Sequence, residues 1–167
     1  MASSYSSSGK AGNCWVSKLR FVTDEKNERS FSKNELDTLE NEDGFDEPIE
    51  EVCAYKVPLN ASQSAGIGST ASGLFHMFLV WKTKNWYWSM EKHTDQITIQ
   101  RNKDERKVKG EFLGEPRNGN AEKIRETSGK GKKLKGMLNW LKSKLGEAYN
   151  VFRSNCQHFV ADVLEFF

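Results

Sequence analysis

Residues 75–100 read FHMFLVWKTKNWYWSMEKHTDQITIQ. Two segments rich in aromatic and β-branched residues, FHMFLVWKT and NWYWSME, flank a short polar turn, a pattern that predicts a β-hairpin. DQITIQ alternates and predicts a third strand. Upstream, VCAYKVPL (Val52 to Leu59) has the content of another strand, in which Cys53 serves as a small buried hydrophobe. Between them ASQSAGIGSTASG is a small-residue loop without the lysine or following helix that a phosphate cradle needs. Downstream, VKGEFLG (Val108 to Gly114) reads as a fourth strand after a charged loop, NKDERK. The polar stretch 115–133 carries a short helix near Ala121 to Glu126.

Helices follow. From Lys132 to Leu145 the spacing of Leu134, Leu138, Leu141 and Leu145 gives one apolar face, and Gly146 ends the helix. Val160, Val163, Leu164 and Phe167 repeat the pattern in a final helix. Strands first and helices last predict an α+β fold, an antiparallel sheet packed against a few helices. Ahead of this body, residues 1–13 read as a disordered Ser/Gly-rich tail. Cys14 to Thr23 reads as a strand of weak alternation, and the acidic run Glu35–Glu51 as an exposed linker. The expected division is a largely disordered leader over 1–46 and a folded domain over 47–167, the leader acting as a tether or cover.

Residues 1–51 hold 6 basic and 12 acidic side chains, and residues 52–167 hold 19 and 11. The acidic part can fold back on the basic one, and nothing in this balance marks a nucleic-acid binder. Three cysteines, Cys14, Cys53 and Cys156, lack zinc-site spacing and disulfide density, so no metal, other cofactor or disulfide is expected. The first ten residues, MASSYSSSGK, have no apolar core for secretion, and no run matches a transmembrane span. A cytoplasmic or nuclear protein with free thiols is the expectation.

The chemistry lies in SNCQHF. Asn155 is a favoured N-cap, so Cys156 occupies a first helical turn, where unpaired N–H groups and the macrodipole favour a thiolate. A thiol nucleophile needs a base. Among three histidines, His158 shares the helix of Cys156 but points away, as a packed or hydrogen-bonded structural residue. His93 sits exposed in a charged turn. His76 opens the most apolar strand, where a polar residue needs a partner. A hairpin loop centred on Thr83 and Lys84 would set Trp81 opposite Trp86 and His76 opposite Glu91, so Glu91 could hold the imidazole tautomer. Ser89, one pair further on, is the alternative orienting group. The Cys156 amide is an available oxyanion donor.

Phe75-His76 on a strand, followed by YNVFRSNCQHF, resembles the permuted papain-like thiol hydrolases, in which the histidine precedes the cysteine. The resemblance is closest to the PPPDE peptidases, reported as deSUMOylating or deubiquitinating isopeptidases. It rests on Val52…Tyr55, GIGSTASGLFH and NCQHF, with Gln157 where that family usually has asparagine. The relatives of lecithin:retinol acyltransferase, with N-C-E-H-F, are similar too. Their Gly-Asp-Leu opening strand and second histidine have no counterpart here, and Glu91 or Ser89 takes the latter's place. The resemblance implies a permuted papain-like fold, Cys156 as nucleophile, His76 as base, and a protein or peptide substrate of the ubiquitin-like class. Two alternatives stay open: an inactive binding module of the same fold, and a lipid-directed acyltransferase or phospholipase.

Overall fold

The computed structural model describes residues 14–59, 74–150 and 152–167. In chain order the strands are β1 (Lys18–Val22), β2 (Glu28–Ser32), β3 (Glu51–Pro58), β4 (Phe75–Lys82), β5 (Tyr87–Lys92), β6 (Ile97–Asn102), β7 (Glu111–Phe112), β8 (Glu115–Pro116) and β9 (Glu122–Ser128). The α-helices are α1 (Glu105–Gly110), α2 (Leu138–Leu145) and α3 (Cys156–Phe166). Seven strands form one sheet in the order β2-β1-β6-β5-β4-β3-β9, and β7 and β8 make a separate ribbon. All neighbours in the large sheet run antiparallel except β1 and β6. The molecule is therefore α+β, with a mostly antiparallel sheet and a C-terminal helix that begins at Cys156. No helix among the described residues is long and apolar enough to cross a membrane.

The hairpin forms where the aromatic pattern predicts it, in a different register. Leu79 pairs with Met90, Val80 with Ser89, and Trp81 with Trp88. Four residues, Thr83 to Trp86, make the loop, closed by the Thr83 N–H donating to the Trp86 carbonyl at 2.9 Å. Trp86 is held in that loop by the Arg101 guanidinium, 4.0 Å from its ring centroid. The ladder is thus offset by two residues from the expected pairing, and an even offset keeps every side chain on its face.

Alternation along β4 divides the core. Leu79 and Trp81 join the larger cluster under α2 and α3, with Met77 packed against it. Phe78 and Val80 join a smaller cluster on the other face, with Tyr55, Val57 and Val108 of α1. His76, two residues before Phe78, belongs to this second face.

Several expectations are corrected. The acidic stretch is part of the fold: Leu36, Leu39, Phe45 and Ile49 are 0–1 % exposed, and β1 lies inside the sheet between β2 and β6. Phe45 meets Trp88 edge-on at 5.3 Å and Phe21 at 5.6 Å. Gly44 makes this approach possible; its φ is +86°, and a Cβ there would sit 2.7 Å from both Trp86 and Trp88. The acidic side chains face outward and meet lysines of the body, Asp37 with Lys142 and Asp46 with Lys133 at 3.1 Å. The folded domain therefore includes residues 14–46; residues 1–13, read as a disordered tail, and residues 60–73, read as a small-residue loop, lie outside the described residues. VKGEFLG is not one strand, because Asp104 caps α1 by accepting from the Arg106 N–H at 2.9 Å. Ala121 to Glu126 is not a helix; residues 122–128 form β9 and satisfy the edge of β3, with charged side chains keeping that new edge in water.

Candidate functional site

Cys156 opens α3 as the capping pattern requires. The Asn155 carboxamide oxygen accepts from the Gln157 N–H at 2.9 Å and the His158 N–H at 3.0 Å. Phe159, Val160, Val163 and Leu164 are buried and fix the helix on the sheet. This seats the thiol at 5 % exposure. Burial pushes the Cys156 thiol up; the N–H groups of Met77, Cys156 and Gln157 act in the opposite sense, and the charge of Glu91 adds to the rise. Tyr149 lies beside it: burial and the neighbouring Cys156 push its phenol up to about 12.

His76 projects from the start of β4. Its Nε2 lies 2.8 Å from Glu91 Oε2, so the predicted pair is present. The contact runs diagonally across the ladder, not between directly opposed residues, because the hairpin register is offset. Ser89, the alternative orienting group, is taken by the Gln100 amide at 2.9 Å. Glu91 is fully buried and carries more than one partner. Arg117 Nη2 donates to Oε1 at 2.7 Å, Arg117 Nη1 to Oε2 at 3.0 Å, and His93 Nε2 stands 3.0 Å from Oε2. Burial alone would raise the Glu91 carboxyl; the Arg117 charge and the hydrogen bonds from His76, His93 and Arg117 outweigh it and hold the carboxyl well below the usual carboxylate range. Burial lowers His76, against the pull of Glu91, and keeps the imidazole neutral.

A carboxylate can only accept, so the neutral His76 ring carries its proton on Nε2 and leaves the Nδ1 lone pair open. Among the described residues no hydrogen bond engages Nδ1, and none joins His76 to the Cys156 thiol. The two are linked through the chain: the amide that faces the sulfur belongs to Met77, the next residue in β4. The structure thus brings His76 and Glu91 into contact and sets Cys156 against the adjoining peptide.

His93, expected in an exposed turn, is a member of the site. Its ring stacks between His76, with centroids 4.6 Å apart, and Phe112, at 4.3 Å. Arg117, in a stretch read as irregular, lies 3.7 Å from the Phe78 ring centroid and is 4 % exposed along its side chain. The signal that could have found it was chemical: a carboxylate buried in a sheet requires a cation. A cavity of about 440 Å³ opens beside these groups, lined by His76, His93, Phe112 and residues 115–119 among others. Among the described lining residues Cys156 is absent. His158, as expected, stands apart, its Nδ1 2.8 Å from Asn155 Oδ1.

A second buried cation supports the loop before Cys156. Lys92, 1 % exposed, donates to the Glu147 carbonyl at 2.6 Å and the Ser154 hydroxyl at 2.7 Å, and its ammonium sits 4.7 Å from the Trp15 ring centroid. Burial lowers its pKa to about 8. No protein-family model, curated protein or solved structure matches the chain.

Proposed function

We propose that this protein is a cysteine-dependent hydrolase of permuted papain-like architecture, in which Cys156 attacks a carbonyl after His76 Nδ1 takes the thiol proton. The observation that carries the reading is the His76–Glu91 contact at 2.8 Å, made through Nε2 to a buried anion. It favours the tautomer that leaves the Nδ1 lone pair free to act as a base. The attack forms an acyl thioester by way of a tetrahedral oxyanion, for which the Cys156 amide at the start of α3 is a donor; the proton on His76 passes to the leaving group, and water then resolves the thioester. The proposed substrate is a peptide or isopeptide, of the ubiquitin-like conjugate class that the sequence resemblance suggests.

The burial of Cys156 favours a second reading, a module that keeps the fold without turnover. A fluorogenic panel of ubiquitin-like, peptide and ester substrates separates the two. Turnover abolished by Cys156→Ala and reduced about 10²–10⁴-fold by His76→Ala supports the hydrolase. No turnover on any substrate, with iodoacetamide labelling of Cys156 unchanged by His76→Ala, supports the inert module.

A further inference from the structure

We propose that His76, His93 and Glu91 form a binding site for a divalent transition ion of the zinc class, and that the bound ion blocks the base function of His76. Three donor atoms converge: His76 Nε2 and His93 Nε2 lie 2.8 and 3.0 Å from the same oxygen, Glu91 Oε2, and all three fall within 4.8 Å of one another. Metal–ligand bonds of about 2.0–2.2 Å place neighbouring ligand atoms roughly 3.0–3.5 Å apart, so the cluster closes on an ion with small side-chain movements. Two imidazoles and one carboxylate suit zinc, cobalt or nickel better than calcium or magnesium.

The ligands are preorganised. Stacking against Phe78 and Phe112 holds the two imidazole planes. His76 and His93 also line the cavity, which offers water or an exogenous anion access to the remaining coordination positions. The rest of the set is already paired, since Arg117 supports Glu91 through both oxygens. Arg117 also opposes a dication by charge, which places the affinity below that of a dedicated structural zinc site.

Binding balances without an added reagent. Each imidazole moves its ring proton from Nε2 to Nδ1 through solvent and gives the Nε2 lone pair to the ion. In that tautomer His76 Nδ1 carries hydrogen and cannot accept the Cys156 proton. The inhibitory half of the proposal rests on the hydrolase reading; the binding half does not.

The test titrates the full chain with Co²⁺, followed by its visible d–d absorption, and with Zn²⁺ in competition. A single saturable equivalent is expected, retained in Cys156→Ser and weakened about tenfold or more in His93→Ala. His93→Gln, with near-UV circular dichroism as a check on the fold, separates lost ligation from lost structure. In Arg117→Met, Co²⁺ should raise the melting temperature by more than in the unsubstituted protein, because the ion replaces the missing cation. Binding that is absent, or unchanged in both His93 variants, overturns the site. Binding that depends on His93 while turnover proceeds unaffected by saturating Zn²⁺ keeps the site and refutes the block. If Cys156 proves inert, the Co²⁺ titration still decides the binding half, and the block falls with the hydrolase reading.

Discussion

Replacing Arg117 by methionine tests the electrostatics of the site. Glu91 is 0 % exposed and Arg117 4 %, and their two hydrogen bonds measure 2.7 and 3.0 Å. Removing one member of such a buried pair leaves an uncompensated charge and costs about 3–5 kcal/mol. The hydrogen bonds from His76 and His93 remain, so the lower part of that range is expected, on the order of 3 kcal/mol. Against a total stability of roughly 5–15 kcal/mol the loss is large and readable by urea denaturation followed by circular dichroism. The sign with pH is also fixed. The folded-state pKa of Glu91 is depressed below 4.5, so its stabilising contribution is complete above that value and fades as pH falls through the carboxylate range. In Arg117→Met burial dominates and lifts the Glu91 pKa; the variant then loses least relative to the parent in mild acid and most at neutral pH. Glu91→Gln in the Arg117→Met background removes the stranded charge and should recover much of the loss. A single-variant loss under about 1 kcal/mol, the value of an exposed pair, would refute the reasoning. So would a double variant no more stable than Arg117→Met.

Three further outcomes are expected. Asn155→Ala removes the cap of α3 and should cost about 1–2 kcal/mol in a denaturant melt, whereas Asn155→Asp should retain most of the stability. Gly44→Ala introduces a methyl group at φ +86° against two indole rings and should destabilise by about 2–3 kcal/mol, measured the same way. Lys92 holds its proton less tightly folded than unfolded, so the parent should gain stability as pH rises from about 8 towards 10.5, a gain that Lys92→Met should not show.

The strands of the aromatic ribbon and the two amphipathic helices were legible because their periods are strong and their ends carry plain signals, Asn155 and Gly146 among them. The pairing of His76 with Glu91 was legible for a narrower reason: the expected register was offset by two, and side-chain alternation tolerates even errors. Residues 35–51 were misread because the charge of the segment masks its spaced apolar residues; Leu36, Leu39 and Phe45 anchor it while the carboxylates face lysines. His93 and Arg117 carry no local pattern, since what selects them is the buried Glu91 carboxylate. The burial of Cys156 was equally hidden, because it depends on how closely α3 settles on β4.

The parallel contact between β1 and β6 sets an order of assembly. Leu19 lies beside Ile97 and Phe21 beside Ile99, whereas β4, β5 and β6 join through short local turns. Closing the long intervening segment is entropically slow, so the three-strand meander is the natural nucleus, and β1, which precedes it in the chain, must wait for β6 before it can dock. Until then Phe21 and Phe45 stay uncovered, which makes the nascent amino-terminal portion the part of this protein most in need of a chaperone.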